Sequence, residues 1–248
     1  MADKKQVDEA LEFLEGVDFV GYEEIDNDTM AIPFVRIAQA INSELNPKGP
    51  DFIQGLSQGD FFNTVNKKVY GDEIRAIILK FERIYIEWKP ERGGFVGYHK
   101  QEDLEKIVAD WTFGAMKTIK GNDLVEYYVY YLLIEGHEDE GVVIMSLASS
   151  NLKIAKQLNR MLKTHRLPNG NPAPPYALIF KFYSEQRSND KGTWYGVDFS
   201  FDGYIDQEQY KIIKEERKML PEKKVEYAQI TDGNNQGSSE GANEESPY

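Results

Sequence analysis

The 248-residue sequence predicts a mainly β (α+β) body carrying one basic amphipathic helix, and three observations lead there. Apolar and aromatic residues alternate at period two through most of the middle of the chain, the pattern of half-buried strands. Among these strand signals lies a single long stretch of helical periodicity, "SSNLKIAKQLNRMLKTH". Acidic residues crowd into the two ends.

Taken in order, residues 1–30 hold Val7, Ala10, Leu11 and Leu14 at helical spacing and then "YEEIDNDT", so an acidic helix and linker are expected. "IPFVRIAQAI" is apolar, and "NPKGP" breaks it. "FFNTV" and "KKVYG" flank Asn66 as the arms of a hairpin do, and "EIRAIILKF" follows. "RIYIEWK" alternates, with Ile84, Ile86 and Trp88 on one face and Arg83, Tyr85, Glu87 and Lys89 on the other. "EYYVYYLLIE" and "VVIMSLA" sit on either side of the polar turn "GHEDEG". The basic helix comes next, with Ser149 or Ser150 in N-cap position and the Pro-rich "LPNGNPAPP" as terminator. "YALIFKFYSE" and "TWYGVDFSF" follow across the polar loop "QRSNDKG", and a last helix, "DQEQYKIIKEERKML", stops before Pro221. From Gly233 onward Gly, Ser, Asn, Gln and Glu dominate. Such a composition buries too little apolar surface to offset the entropy of ordering, so a disordered tail is expected.

One helix between a set of strands and two closing strands fits the five-stranded Greek-key barrel called the OB-fold, here with insertions. A two-sheet sandwich with helices is the alternative. The expected division is an acidic segment over 1–30, an OB-like body over 31–227 and an acidic tail over 228–248.

Zero cysteines remove disulfides, thiolate nucleophiles and Cys-type zinc sites together. His99, His137 and His165 are scattered, which argues against many metal and triad chemistries. Neither a cofactor nor an enzymatic activity is expected. No apolar run reaches the roughly 18–20 residues needed to span a bilayer, and "MADKKQVDEALEFLEG" lacks the apolar core of a signal peptide. A soluble, cytoplasmic protein is therefore expected. The net charge of −13 is unfavourable for nucleic acid until it is mapped. Residues 1–30 carry ten acids against Lys4 and Lys5, and residues 228–248 carry four acids and no base, which leaves the body close to neutral.

Within that body, the stretch from Asn151 to Arg166 holds Lys153, Lys156, Arg160, Lys163 and Arg166 and no acid. At about 100° per residue the first four fall within roughly an 80° arc, while Leu152, Ala155, Leu158, Met161 and Leu162 take the core side. Such a row can follow a phosphate backbone, and an ordinary solvated helix face is the plain alternative. A second feature interleaves aromatics with bases. Tyr85, Lys89, Arg92, Tyr98 and Lys100 cluster around "YIEWKPERGGFVGYHK", and Lys181, Tyr183, Arg187, Lys191 and Trp194 around the last two strands. Bases stack on π-faces at roughly 1–3 kcal/mol each while cations hold the phosphates, which is what sequence-tolerant single-strand binding needs. Parity assigns Trp88, Phe180 and Phe182 to the core and leaves Tyr85, Tyr183 and Trp194 as the stacking candidates. Asp72 with Glu87 and Lys89 loosely follows the Asp…Glu-x-Lys layout of Mg²⁺-dependent nucleases, a minor alternative.

The aromatic-rich β body, the basic row, the Gly/Ser/Asn/Gln linker and the ending "EGANEESPY" together resemble the single-stranded DNA-binding proteins of bacteria and tailed phages, and the layout looks most like the phage replication type. Bacterial members end in an acidic run followed by Ile-Pro-Phe, and Glu244, Glu245, Ser246, Pro247 and Tyr248 occupy the matching places. Tyr replaces the usual Phe, and the acids are sparser. The resemblance implies a protein that coats displaced strands in DNA replication, recombination and repair. It implies that the tail, through Glu240, Glu244, Glu245, Pro247 and Tyr248, docks on a polymerase, primase-helicase or recombinase. Without DNA, the same tail would lie over the protein's own cationic groove. A homodimer is compatible with this reading. The rival from the structural class is a phage assembly or virion protein that binds protein alone.

Overall fold

In the computed structural model the described residues are 33–220 without Phe113 and Lys191. The expectations for residues 1–30, for Lys191 and for the tail with Glu240, Glu244, Glu245, Pro247 and Tyr248 lie outside them. In chain order the strands are β1 (Val35–Ile37), β2 (Phe61–Asn63), β3 (Val69–Gly71), β4 (Glu73–Trp88), β5 (Phe95–His99), β6 (Val108–Asp110), β7 (Met116–Thr118), β8 (Asp123–Ile134), β9 (Val143–Ala148), β10 (Leu178–Asn189) and β11 (Gly192–Tyr204). The helices are α1 (Leu104–Ile107), α2 (Leu152–Thr164) and α3 (Gln207–Met219). The described residues are thus mainly β, in open antiparallel sheets. A three-stranded sheet runs β1-β2-β3, and an eight-stranded sheet runs β11-β10-β4-β8-β7-β6, with β5 added to β4 and β9 to β8.

The hairpin read around Asn66 forms as β2 and β3, and its turn is held by Asn63, whose Oδ1 accepts from the N–H groups of Val65 and Asn66. "EIRAIILKF" and "RIYIEWK" are not two strands but the single 16-residue β4. Its register against β8 is irregular between Ile78 and Lys80. Before that point Ile74, Ala76 and Ile78 point into the larger core with Leu132 and Ile134. After it Ile84, Ile86 and Trp88 join a second core with Tyr127, Val129 and Tyr131. An offset of one residue exchanges the faces of a strand, so Phe81, Arg83, Tyr85 and Glu87 continue the face that Ile74 begins. The first half of β4 lies between β10 and β8, the second half between β5 and β8.

Helix α2 follows β9 and lays Leu152, Ala155 and Leu158 against Phe180, Phe182 and Val197 in the larger core. Tyr130 pins it, its hydroxyl lying 3.1 Å from the Ala155 carbonyl and 2.9 Å from Asn159 Oδ1. The helix grows out of a 3₁₀ turn over Ser149–Asn151, and its cap position is Asn151, with no side-chain capping bond. Neither Ser149 nor Ser150 takes the expected N-cap place, because both lie inside that 3₁₀ turn, Ser149 at φ 50°. Arg166 lies beyond the helix end, bridged to Pro172. Residues 33–39 span the gap between β9 and β11. Ile144 N–H donates to the Pro33 carbonyl at 2.9 Å, and the Gln39 amide exchanges two 2.9 Å bonds with the backbone of Tyr195. The last helix forms as expected, with a capping box at Asp206 and Ile213 buried against Ile77, Leu79 and Ile179. Among the described residues no helix is long and apolar enough to cross a membrane.

Candidate nucleic-acid interface

The packing that buries Leu152, Ala155 and Leu158 turns the opposite arc of α2 outward, and Lys153, Lys156, Arg160 and Lys163 are all exposed. No ion pair among the described residues involves Lys153, Arg160 or Lys163. From Lys153 to Lys163 the row extends about 15 Å at 1.5 Å per residue. Arg166 is exposed just past its end.

Two aromatic positions border this row, and neither stood out in the sequence. Phe81 is 38% exposed, with its ring 5.3 Å from Tyr128 and 5.2 Å from Tyr130. Because the Tyr130 hydroxyl rests on α2, a single ring separates Phe81 from the helix. Arg83, on the same face of β4, places its guanidinium 5.2 Å from the Tyr85 ring and pairs with Glu126. At the C-terminal end of α2, His165 lies 4.6 Å from Phe201 and bonds Tyr204 at 3.0 Å, and Tyr204 is 39% exposed. The row thus sets exposed cations near the exposed rings of Phe81 and Tyr204. The signal for Phe81 was available only through the register irregularity of β4, which puts its ring on the α2 side of the strand.

Tyr85 requires correction as a stacking candidate. It is 2% exposed, covered by Leu104 and Val108, and its hydroxyl donates to Gln101 at 2.7 Å. Burial pushes that hydroxyl's pKa well up. Parity failed because α1 and β6 cover the second face of β4, which leaves no solvent side there. Lys89 and Lys100 are exposed, Arg92 falls in the 3₁₀ turn Pro90–Arg92, and Tyr98 packs half-buried on the second core. Lys89 lies about 26 Å along the strand from Phe81, so this group is not part of the α2 row.

The β10 candidates Lys181 and Tyr183 face away from α2. Phe180 and Phe182 point to the core that α2 covers, so Lys181 and Tyr183, at the other parity of β10, point away from it. Lys181 pairs with Glu73 at 3.1 Å, and Tyr183 stands opposite Glu73 and Asp198. Arg187 donates to the Val197 carbonyl at 2.9 Å and to Asn151 at 3.2 Å. Its guanidinium fills the notch left by Gly196, where a Cβ would come within 2.5 Å of Arg187 Cζ. Arg187 is thus a structural tie from β11 to the start of α2. Trp194 is half-buried opposite it. Tyr85, Tyr183 and Trp194 do not meet the basic row in one groove.

The nuclease-like trio is also separated. Asp72 precedes β4 and Glu87 lies near its far end. The Glu87 carboxylate does not pair with Lys89. It accepts from His99 at 2.8 Å, Asn122 at 2.7 Å and Thr118 at 3.2 Å. Burial alone would raise its pKa, but these three hydrogen bonds hold it below the usual carboxylate range. In "GHEDEG", Glu140 is likewise engaged, accepting from Tyr70 at 2.5 Å and Asn63 at 3.1 Å. Among the described residues no His, Asp and Glu cluster could hold a metal ion.

A family model described as Pam3 phage gp34-like protein matches residues 3–226. No curated protein and no solved structure matches.

Proposed function

We propose that this chain, which belongs to the Pam3 phage gp34-like protein family, is a non-enzymatic, sequence-tolerant single-stranded DNA-binding protein. It would act on displaced strands in phage DNA replication, recombination or repair, in the host cytoplasm. The observation that carries this reading is the exposed α2 row, with no ion pair at Lys153, Arg160 or Lys163 and with Phe81 one ring away. Phosphates would lie along the row and bases against Phe81 and Tyr204.

An OB-type barrel is the finer fold proposal. The chain order β4, β8, β9, α2, β10, β11 follows the order of that fold, with β4 pairing both β8 and β10. Residues 33–39 lie where the third and fifth strands of such a barrel would close. The acidic segment 228–248 would recruit replication enzymes.

Fluorescence titration with oligo(dT) across a salt series tests the function. Preference for the single strand over a duplex of equal length, with a steep fall of log K against log salt, is the expected result. Equal affinity for both, or a flat salt dependence, would sink it.

A further inference from the structure

A concavity of about 250 Å³ opens on α3, lined by Tyr176, Tyr210, Ile213, Lys214, Arg217 and Lys218. Ile213 is buried and forms an apolar floor, while Tyr210 is 48% exposed at the rim. The Arg217 guanidinium sits 4.2 Å from the centre of the Tyr176 ring. Lys218 is paired with Glu215 at 2.8 Å, but no ion pair among the described residues involves Lys214 or Arg217. Two exposed cations outside any such ion pair, beside two tyrosine rings, suit an occupant that is both acidic and aromatic.

The chain carries such a peptide itself, "EGANEESPY", with Glu240, Glu244 and Glu245 for the cations and Tyr248 for the rings. Residues 220–239 come between it and the end of α3. Their extended reach is about 65 Å at roughly 3.3 Å per residue. The path from Leu220 back to Tyr210 is only about 15 Å along the helix. We infer that the segment Glu240–Tyr248 docks into the α3 concavity of its own chain, its carboxylates on Lys214 and Arg217 and its ring against Tyr176 and Tyr210. Covalent attachment makes the encounter intramolecular, so a weak intrinsic affinity suffices. The inference stands apart from the DNA-binding reading, because α3 shares no lining residue with the α2 row. It adds a competition, since a partner that takes the segment must displace it from α3.

The absence of cysteine allows a single nitroxide label through Ser246→Cys in the full chain. Paramagnetic broadening of the amide signals of Tyr176 and of residues 210–218 is the expected result. The same signals should return when Glu240→Gln, Glu244→Gln and Glu245→Gln are added, and again with Lys214→Glu and Arg217→Glu, which change exposed side chains only. Several outcomes overturn the inference: no broadening on α3, broadening centred on Lys153–Lys163, broadening that survives the charge changes, or broadening seen only between mixed labelled and unlabelled copies. None of these depends on whether oligo(dT) binds.

Discussion

The outer arc of α2 and the outer face of the β10–β11 hairpin carry similar cations in opposite company. On β10, Lys181 faces Glu73 at 3.1 Å, and Arg187 is tied to Val197, Asn151 and Glu185. On α2, Lys153, Arg160 and Lys163 stand in water with no ion pair among the described residues. A cation already satisfied by the fold must break those bonds before it can hold a phosphate, whereas a solvated one has only to release counterions. Two basic clusters that look alike in a charge count therefore differ in what they are free to bind.

The strongest way to break this contrast is to reverse the α2 row. Lys153→Glu, Lys156→Glu, Arg160→Glu and Lys163→Glu together should lower oligo(dT) affinity by about a thousandfold at low salt. Circular dichroism should show an unfolding midpoint within a few degrees of the parent, because all four side chains are exposed. Phe81→Ala should cost about 1–3 kcal/mol of binding, roughly 5- to 150-fold. Retained affinity in that variant would remove Phe81 from the interface. Arg187→Ala should act on the other side of the contrast. It leaves the Val197 carbonyl and Asn151 short of a donor, and urea unfolding should read a loss of about 1–3 kcal/mol with oligo(dT) affinity nearly unchanged.

The smallest effect concerns acid stability. The Glu87 carboxyl has its pKa lowered by folding, so its contribution is present above the unfolded value of about 4.3 and is lost as pH falls through the folded value. Glu87→Gln should therefore be destabilised by about 1 kcal/mol near pH 7, and the gap from the parent should close as the pH drops below 4. A gap that stays constant down to pH 2 would show that the charge of Glu87 does not matter to the fold.

Much of this architecture was legible in the sequence. The β2–β3, β8–β9 and β10–β11 hairpins follow from period-two alternation and polar turns, and α2 from an unbroken helical period with bases on one arc. The misreadings share a physical origin. Parity assumes that one face of a strand meets water along its whole length, but the face of β4 that leaves Phe81 exposed is covered at Tyr85 by α1 and β6, while the second core takes the other face. Tyr85 was thus assigned to solvent although it is buried, and Phe81 went unnoticed although it is exposed. Spacing also carries no record of tertiary partners, so Arg187 read as a free base although Asn151, far away in sequence, holds it.

The most direct test of the contrast is the salt dependence of oligo(dT) binding in two neutralised variants, one with Lys153, Lys156, Arg160 and Lys163 changed to Ala, the other with Lys181 and Arg187 changed to Ala. Each phosphate contact contributes about −0.7 to the slope of log K against log salt on a single strand. The α2 variant should flatten the slope by about 3, and the β10 variant should leave it unchanged. Equal flattening in both, or flattening in the β10 variant alone, would contradict the account.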